Sequence, residues 1–329
     1  MKRIMTMAAL LLTMLPMVAQ QMQKFTLKCT THPNAKEVSL TTITGNGLKK
    51  DGISVANGQF TVSAEANKDE LLVVIDRDNR MQGYFIADAP NITLDINTDV
   101  ATGSPMNEKL SKAVQQLGNI ESLEQAKSYL LQTMKDEKDN VVGAFVFSQF
   151  YSLLDYDELK QALSQDNYLT RHPLTGMAKE HLQQLALRAP GTMFKDLEEN
   201  DPEGKAHKLS EYVGRGNYVL VDFWASWCGP CMREMPNVKA NYEKYKEKGF
   251  NVVGLSFDRA AEPWKKAIKE QGLNWTHLSD LKFWQTVAAK TYGIRSIPSS
   301  ILCDPTGKII AVDLRGEALG KKLQEIYGF

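Results

Sequence analysis

Val221-Asp222-Phe223-Trp224-Ala225-Ser226-Trp227-Cys228-Gly229-Pro230-Cys231 is the stretch on which the reading of this chain turns. It continues the apolar run Tyr218-Val219-Leu220-Val221, the pattern of a central strand buried on both faces. A helix is predicted over about 230–247 directly after it. Two cysteines in a C-x-x-C pair at such a strand-to-helix junction have the spacing and context of a redox dithiol. The competing reading is half a zinc site, which needs two further Cys or His at matched spacing. The nearest histidine in sequence is His207, and the remaining cysteines are Cys29 and Cys303, so no metal is expected.

The junction also predicts how the two thiols differ. Amide N–H groups at a helix start, together with the helix dipole, favour negative charge on the first cysteine. Its thiol pKa falls and Cys228 becomes the expected nucleophile. Cys231, one turn on and less exposed, is the expected resolving thiol. Pro230 sits in the first turn, where its missing N–H costs little. Asp222 lies inside the apolar strand between Val221 and Phe223. Poor solvation there raises a carboxyl pKa, which suits a general base for Cys231; the alternative is a solvated sheet face. Trp227 is expected to shield Cys228 and offer an apolar contact to a substrate, and Trp224 to serve packing. No cofactor beyond a Cys228–Cys231 redox disulfide is expected.

Outward from the motif, elements alternate over 189–329: strand 217–224, helix 230–247, strand 251–257, helices 262–271 and 281–291, strands 299–303 and 308–314, and helix 317–327. Asp304-Pro305-Thr306-Gly307 reads as the hairpin turn between the last two strands. The pattern implies an α/β domain, a mixed sheet with helices on both faces. Residues 192–216 read as polar and irregular. Upstream, residues 105–188 are poor in Gly and Pro and show helical spacing, as in Leu110, Val114 and Leu117. The aromatic run from Phe145 to Tyr156 within them is read as packing. Residues 21–104 alternate with period two, with a hairpin signal at Asn57-Gly58. They read as a small antiparallel β domain.

The first 20 residues stand apart. Lys2 and Arg3 precede an apolar run from Ile4 to Ala19, short for a membrane span. This is the pattern of a secretory signal peptide, with an uncleaved membrane anchor as the alternative. Export to the periplasm or cell envelope follows, where disulfides persist unless reduced. The chain of 329 residues carries 39 Lys+Arg and 39 Asp+Glu, so net charge gives no reason to expect a nucleic acid partner. Cys29 and Cys303 are read most simply as buried thiols, with a disulfide between them as the lesser alternative. The five histidines have no metal-ligand spacing.

The stretch 221–231 resembles the thioredoxin superfamily. Tyr292-Gly293-Ile294-Arg295-Ser296-Ile297-Pro298 resembles its cis-proline loop, and Pro236 its helix-kinking proline. The resemblance covers about 190–329. Within the superfamily it is most similar to the exported TlpA/ResA-like thiol–disulfide oxidoreductases, through Arg233-Glu234-Met235-Pro236 and the extra segment 259–280. It implies a cis Ile297-Pro298 bond facing Cys228. It also implies a substrate-binding surface of Trp227, Gly229, Pro230, Ser296, Ile297 and Pro298, and Glu234 as a second acid; the alternative for Glu234 is a solvated helix residue. The residues alone favour the trans isomer at Pro298, although a strand start is compatible with either, and the resemblance reverses that preference. One departure stands out. Thioredoxin carries a lysine beside the buried acid, and aligning on Asp258 puts Gly254 there. The N-terminal zone, with Thr102-Gly103-Ser104-Pro105-Met106-Asn107 before a helix, resembles the β domain of unknown function that precedes TlpA-like domains.

The resemblance implies a reductase of protein or peptide disulfides, recharged by a membrane electron donor. An oxidase or isomerase, or a thioredoxin-fold binding module without catalysis, are the alternatives. The Thr-x-x-Cys pattern of peroxiredoxins is missing at Cys228. The sequence is silent on oligomeric state.

Overall fold

The alternating segment of the N-terminal zone builds eight strands. The computed structural model describes residues 21–329, so the signal peptide expected over residues 1–20 lies outside the described residues. The strands are β1 (Met22–Thr30), β2 (Glu37–Thr42), β3 (Lys49–Ser54), β4 (Gln59–Asn67), β5 (Leu71–Asp76), β6 (Met81–Ile86), β7 (Asn91–Asp95) and β8 (Val100–Thr102). They form two four-stranded sheets, ordered β4-β1-β7-β8 and β3-β2-β5-β6. Pairing is antiparallel throughout except between β1 and β7, which run parallel. Phe25, Leu27, Leu40, Leu72, Val74, Phe85, Ile92 and Leu94 share one apolar core, as inward positions of period-two strands should. Asn57 (φ 52°) and Gly58 (φ 72°) both adopt left-handed backbone in the turn before β4, which that hairpin class requires.

Six helices follow: α1 (Pro105–Gly118), α2 (Leu123–Asp136), α3 (Val141–Phe150), α4 (Tyr156–Ser164), α5 (Tyr168–Arg171) and α6 (Gly176–Ala186). The Ser104 side chain caps α1 by accepting from the Asn107 amide, with Pro105 in the first turn. Buried Asn107 accepts from Ile86 N at 2.9 Å and donates to Ile86 O at 3.0 Å, fixing α1 to β6. In α3, Val141 through Phe147 are all buried, so Phe145 and Phe147 are packing residues. The chain divides into two units, residues 21–153 with Gln165–Gly176, and Leu154–Ser164 with Met177–Phe329. By that division α4 and nearly all of α6 belong to the C-terminal unit.

The C-terminal unit adds a hairpin of β9 (Glu198–Asn200) and β10 (Ala206–Lys208). Then come β11 (Tyr218–Trp224), α7 (Gly229–Tyr245), β12 (Phe250–Ser256), α8 (Ala261–Gln271), β13 (Thr276–Leu278), α9 (Val287–Tyr292), β14 (Ser299–Cys303), β15 (Ile309–Val312) and α10 (Glu317–Tyr327). The five-stranded sheet runs β13-β12-β11-β14-β15, with β11 central. β12 and β13 are parallel to their neighbours, and β14 and β15 antiparallel. Successive residues of β11 bury on opposite faces. Val219, Val221 and Phe223 join a cluster with Trp264 of α8 and Tyr292 of α9. Leu220 joins Val238 of α7 and Leu319 and Leu323 of α10. This is the thioredoxin fold, a mixed sheet covered on both faces.

Three segments differ from the expectation. The stretch read as irregular contains the β9–β10 hairpin, and β13 was not predicted, because three-residue strands are too short to show a period. The helix expected over 281–291 is broken. A 3-10 turn, Phe283–Gln285, precedes α9, and Leu281 and Phe283 both have left-handed φ. The Asp280 carboxylate accepts from Lys282 N and Val287 N, and Thr286 caps α9, so local hydrogen bonds override the helical spacing.

Phe223 is fully buried, with ring centroids 5.5 Å from Tyr292 and 6.5 Å from Phe257. Phe223→Ala is expected to destabilise the C-terminal unit by about 3–5 kcal/mol, read from urea unfolding.

Candidate active site

β11 ends at Trp224, and five residues later α7 begins, with Cys228 as its N-cap residue. The Cys231 amide donates to Cys228 Sγ at 3.2 Å, so a backbone N–H at the positive end of a 17-residue helix points at the first sulfur. The two cysteines are joined by a disulfide. Cys228 is 4 % exposed and Cys231 1 %, a smaller difference than the spacing alone led us to expect. Gly229 and Pro230 form the exposed first turn, and Pro236 lies inside the helix.

Asp222 sits on β11 opposite Ser300 of β14, and Phe223 opposite Ser299. That register brings the Ile297-Pro298 loop to the end of β11 that carries the dithiol. The Ile297-Pro298 bond is cis. Ile297 packs against the cluster that contains Cys228 and Cys231, while Ser296 is exposed. Burial pushes Asp222 up to about 7, the Glu234 charge adds to the rise, and Arg315 opposes it.

The position opposite Asp222 on β12 is Gly254, so the cation of the resemblance is missing from that register. The space is not empty. A Cβ on Gly254 would lie 2.6 Å from His277 Nδ1 and 2.8 Å from Trp224 Nε1. Burial holds His277 down at about 3, hence neutral. His277 Nε2 lies 3.3 Å from Leu273 O, and a carbonyl can only accept, so that nitrogen carries the proton. Two rings thus replace the lysine side chain.

The segment after β15 organises the other side of the site, and nothing in the sequence signalled it. Asp313 Oδ1 accepts from Ser299 Oγ at 2.5 Å and Ser300 N at 3.2 Å, and Oδ2 pairs with Arg188 at 3.3 Å. The Arg315 guanidinium donates to the Pro298 carbonyl. Glu234 Oε1 accepts from Gly316 N at 2.8 Å and Asn237 Nδ2 at 2.6 Å. Glu234 is therefore a tethered, half-buried acid rather than a solvated helix residue.

Trp227 stays 47 % exposed and packs on Phe283 and Trp284, centroids 5.0 and 6.1 Å away. Those two aromatics were absorbed into an expected helix; their adjacency in a polar stretch was the available signal. Trp224 is fully buried. Cys29 and Cys303 are buried and unbonded, both raised to about 12 chiefly by burial. Among the described residues no group of three or more His, Cys, Asp or Glu is arranged to hold a metal ion. No helix of the described residues is long and apolar enough to cross a membrane.

Residues 190–312 match the AhpC/TSA family. The chain is 34% identical over 148 residues to a thiol–disulfide oxidoreductase ResA of Bacillus cereus, covering 45% of this chain and 79% of the relative. It is 31% identical over 121 residues to a ResA of Geobacillus thermodenitrificans, covering 37% of this chain and 67% of the relative. Among solved structures, the thioredoxin domain of a thiol–disulfide oxidoreductase of Bacteroides vulgatus is 36% identical, with TM-score 0.39, covering 42% of this chain and 97% of that one.

Two outcomes test this geometry. Gly254→Lys forces a side chain into the Trp224 and His277 rings, and should lower stability by about 1–3 kcal/mol in thermal unfolding rather than restore an ion pair. Asp222 has a folded pKa of about 7 above its ordinary 3.8, so the folded state holds the extra proton between those values. Stability therefore falls as pH rises through that window. Asp222→Asn should gain on wild type from about pH 4 to about pH 8, by up to about 4 kcal/mol at 1.36 per pH unit, in denaturant titrations at both ends.

Proposed function

The chain belongs to the ResA family of thiol–disulfide oxidoreductases, and from that membership we propose that it is a reductase of protein or peptide disulfides outside the cytoplasm, working through Cys228 and Cys231. The observation that carries this is the Cys231 amide directed at Cys228 Sγ at the start of α7. In the reduced enzyme that amide and the helix dipole favour a Cys228 thiolate. The thiolate attacks one sulfur of the partner's disulfide, forms a mixed disulfide and expels the first partner thiolate. Cys231 then loses its proton to the Asp222 carboxylate and attacks Cys228 Sγ. The Cys228–Cys231 disulfide forms and the second partner thiolate leaves. The partner gains two electrons, and with two protons it ends as a dithiol.

Asp222 suits the role because burial brings it to about 7, near the pH at which it must accept a proton. The cation that shapes its field comes from Arg315, beyond β15, in place of a lysine on β12. Trp227, Gly229, Pro230, Ser296, Ile297 and Pro298 form the surface on which the partner's chain lies, as a short β-addition along the proline loop. Glu234 is a second acid tied to the same loop system. No cofactor beyond the redox disulfide is needed. The periplasm or cell envelope is the proposed location, on the strength of the residues 1–20 pattern. An electron donor in the membrane is the proposed source of reducing equivalents.

The Gly-Pro dipeptide between the cysteines supports the reducing direction. The reduction potential of the Cys228–Cys231 couple, measured against glutathione, is expected below about −200 mV; a value near −120 mV would make the protein an oxidase. A Cys231→Ser variant should accumulate a mixed disulfide through Cys228, and capture through another cysteine would refute the nucleophile assignment.

A further inference from the structure

The turn that breaks the expected helix carries the strongest unassigned feature. Leu281 (φ 56°) and Phe283 (φ 57°) hold left-handed backbone without being glycine, which is costly for bulky residues. The surroundings enforce it. Asp280 accepts from Lys282 N and Val287 N, each at 3.0 Å, and Ser279 Oγ from Leu281 N at 3.1 Å. At the end of the turn, Thr286 Oγ1 donates to the buried Glu199 carboxyl at 2.7 Å. Burial does not repay this strain at Trp284, which remains 36 % exposed. Among the described residues, Trp227 and Trp284 are the exposed large apolar side chains in ring contact with each other. Phe283 contacts both rings, and the Arg259 guanidinium stands 3.8 Å over its ring. The result is a rigid aromatic step starting at the residue before Cys228.

Four cations border it. Arg233, Arg259, Lys282 and Arg295 are exposed, and none has a carboxylate partner among the described residues. Three nearby carboxylates are oriented by neutral donors of the fold, while Glu262 is exposed. Asp258 accepts from Ser226 and Ser256, Asp280 from the turn amides, and Glu234 from Gly316 and Asn237.

We infer that Trp227, Phe283, Trp284 and Arg259 form a specificity platform that selects partner proteins whose reducible cystine is flanked by an aromatic residue and a carboxylate. The inference rests on the exchange reading above and names the substrate class for it. The aromatic side chain stacks on the exposed Trp284 face, and the carboxylate meets Arg259, whose guanidinium is already positioned by the Phe283 ring. A preformed platform spares the partner the cost of ordering it. Arg259, without a carboxylate at salt-bridge distance among the described residues, favours an acidic partner side chain over a basic one at this step.

The test uses the reduced full-length chain and four otherwise identical peptides with one intramolecular disulfide, bearing Tyr or Ala and Glu or Lys beside the cystine. The Tyr/Glu peptide should be reduced at least about tenfold faster, in kcat/KM, than the Ala/Lys peptide. Trp284→Ala should bring that ratio to within about threefold. Arg259→Glu should invert the Glu-over-Lys preference. Ratios within one variant are independent of the fraction folded. Equal rates for all four peptides with wild type, or ratios unmoved by both variants, would overturn the platform. A dimer in sedimentation that Trp284→Ala dissolves would assign the surface to a second copy, and overturns it as well. Hydroxyethyl disulfide, too small to reach the platform, separates the two readings. Its turnover without peptide discrimination sinks the platform alone, and no turnover of any disulfide sinks the exchange reading and the platform with it.

Discussion

Everything in the catalytic unit depends on one backbone contact, the Cys231 amide at the Cys228 sulfur. That contact exists only if a helix starts at the cysteine and stays put. The start is held by β11, whose alternate residues are locked into apolar clusters on both faces of the sheet. A strand buried on both faces cannot slip by one residue without exposing one set and misplacing the other. The position of the sulfur relative to the helix dipole is therefore set by the core, of which Cys228 and Cys231 are themselves part.

The same central strand fixes the acid. Because Asp222 occupies an inward position of β11, its carboxyl is desolvated whatever surrounds it. The surroundings tune the result. On one side two neutral rings, Trp224 and His277, fill the volume above Gly254, and they bring no charge. On the other, Glu234 and Arg315 act with opposite sign. Both are tied to the segment after β15, which in turn ties to the proline loop through Pro298 and Ser299. Proton affinity at Asp222 and geometry at the proline loop share residues, so a change in one is transmitted to the other by direct contact.

Much of the catalytic unit was legible beforehand because its signals are local. The strand–Cys228–helix junction, the Asp304–Gly307 hairpin and α10 each follow from propensity and periodicity within a dozen residues. The broken helix at 281–286 was not legible, because spacing describes faces and says nothing of an Asp280 carboxylate that competes for the amides. β13 and the β9–β10 hairpin were hidden by length. The parallel β1–β7 pair was hidden by topology, since alternation reports that a strand is half-buried and leaves its neighbour unspecified.

By itself the sequence determined the strand-to-helix junction that carries the Cys228–Cys231 pair and the burial of Asp222. These are consequences of residue type at a strand-to-helix junction, where the physics is local. Only the tertiary structure decided which groups surround that acid, why no lysine can enter at Gly254, and that Arg259, Phe283 and Trp284 stand beside Trp227. Charge and contact act over a few ångströms, between residues as far apart in the chain as Arg188 and Asp313, and only folding brings such residues within that range.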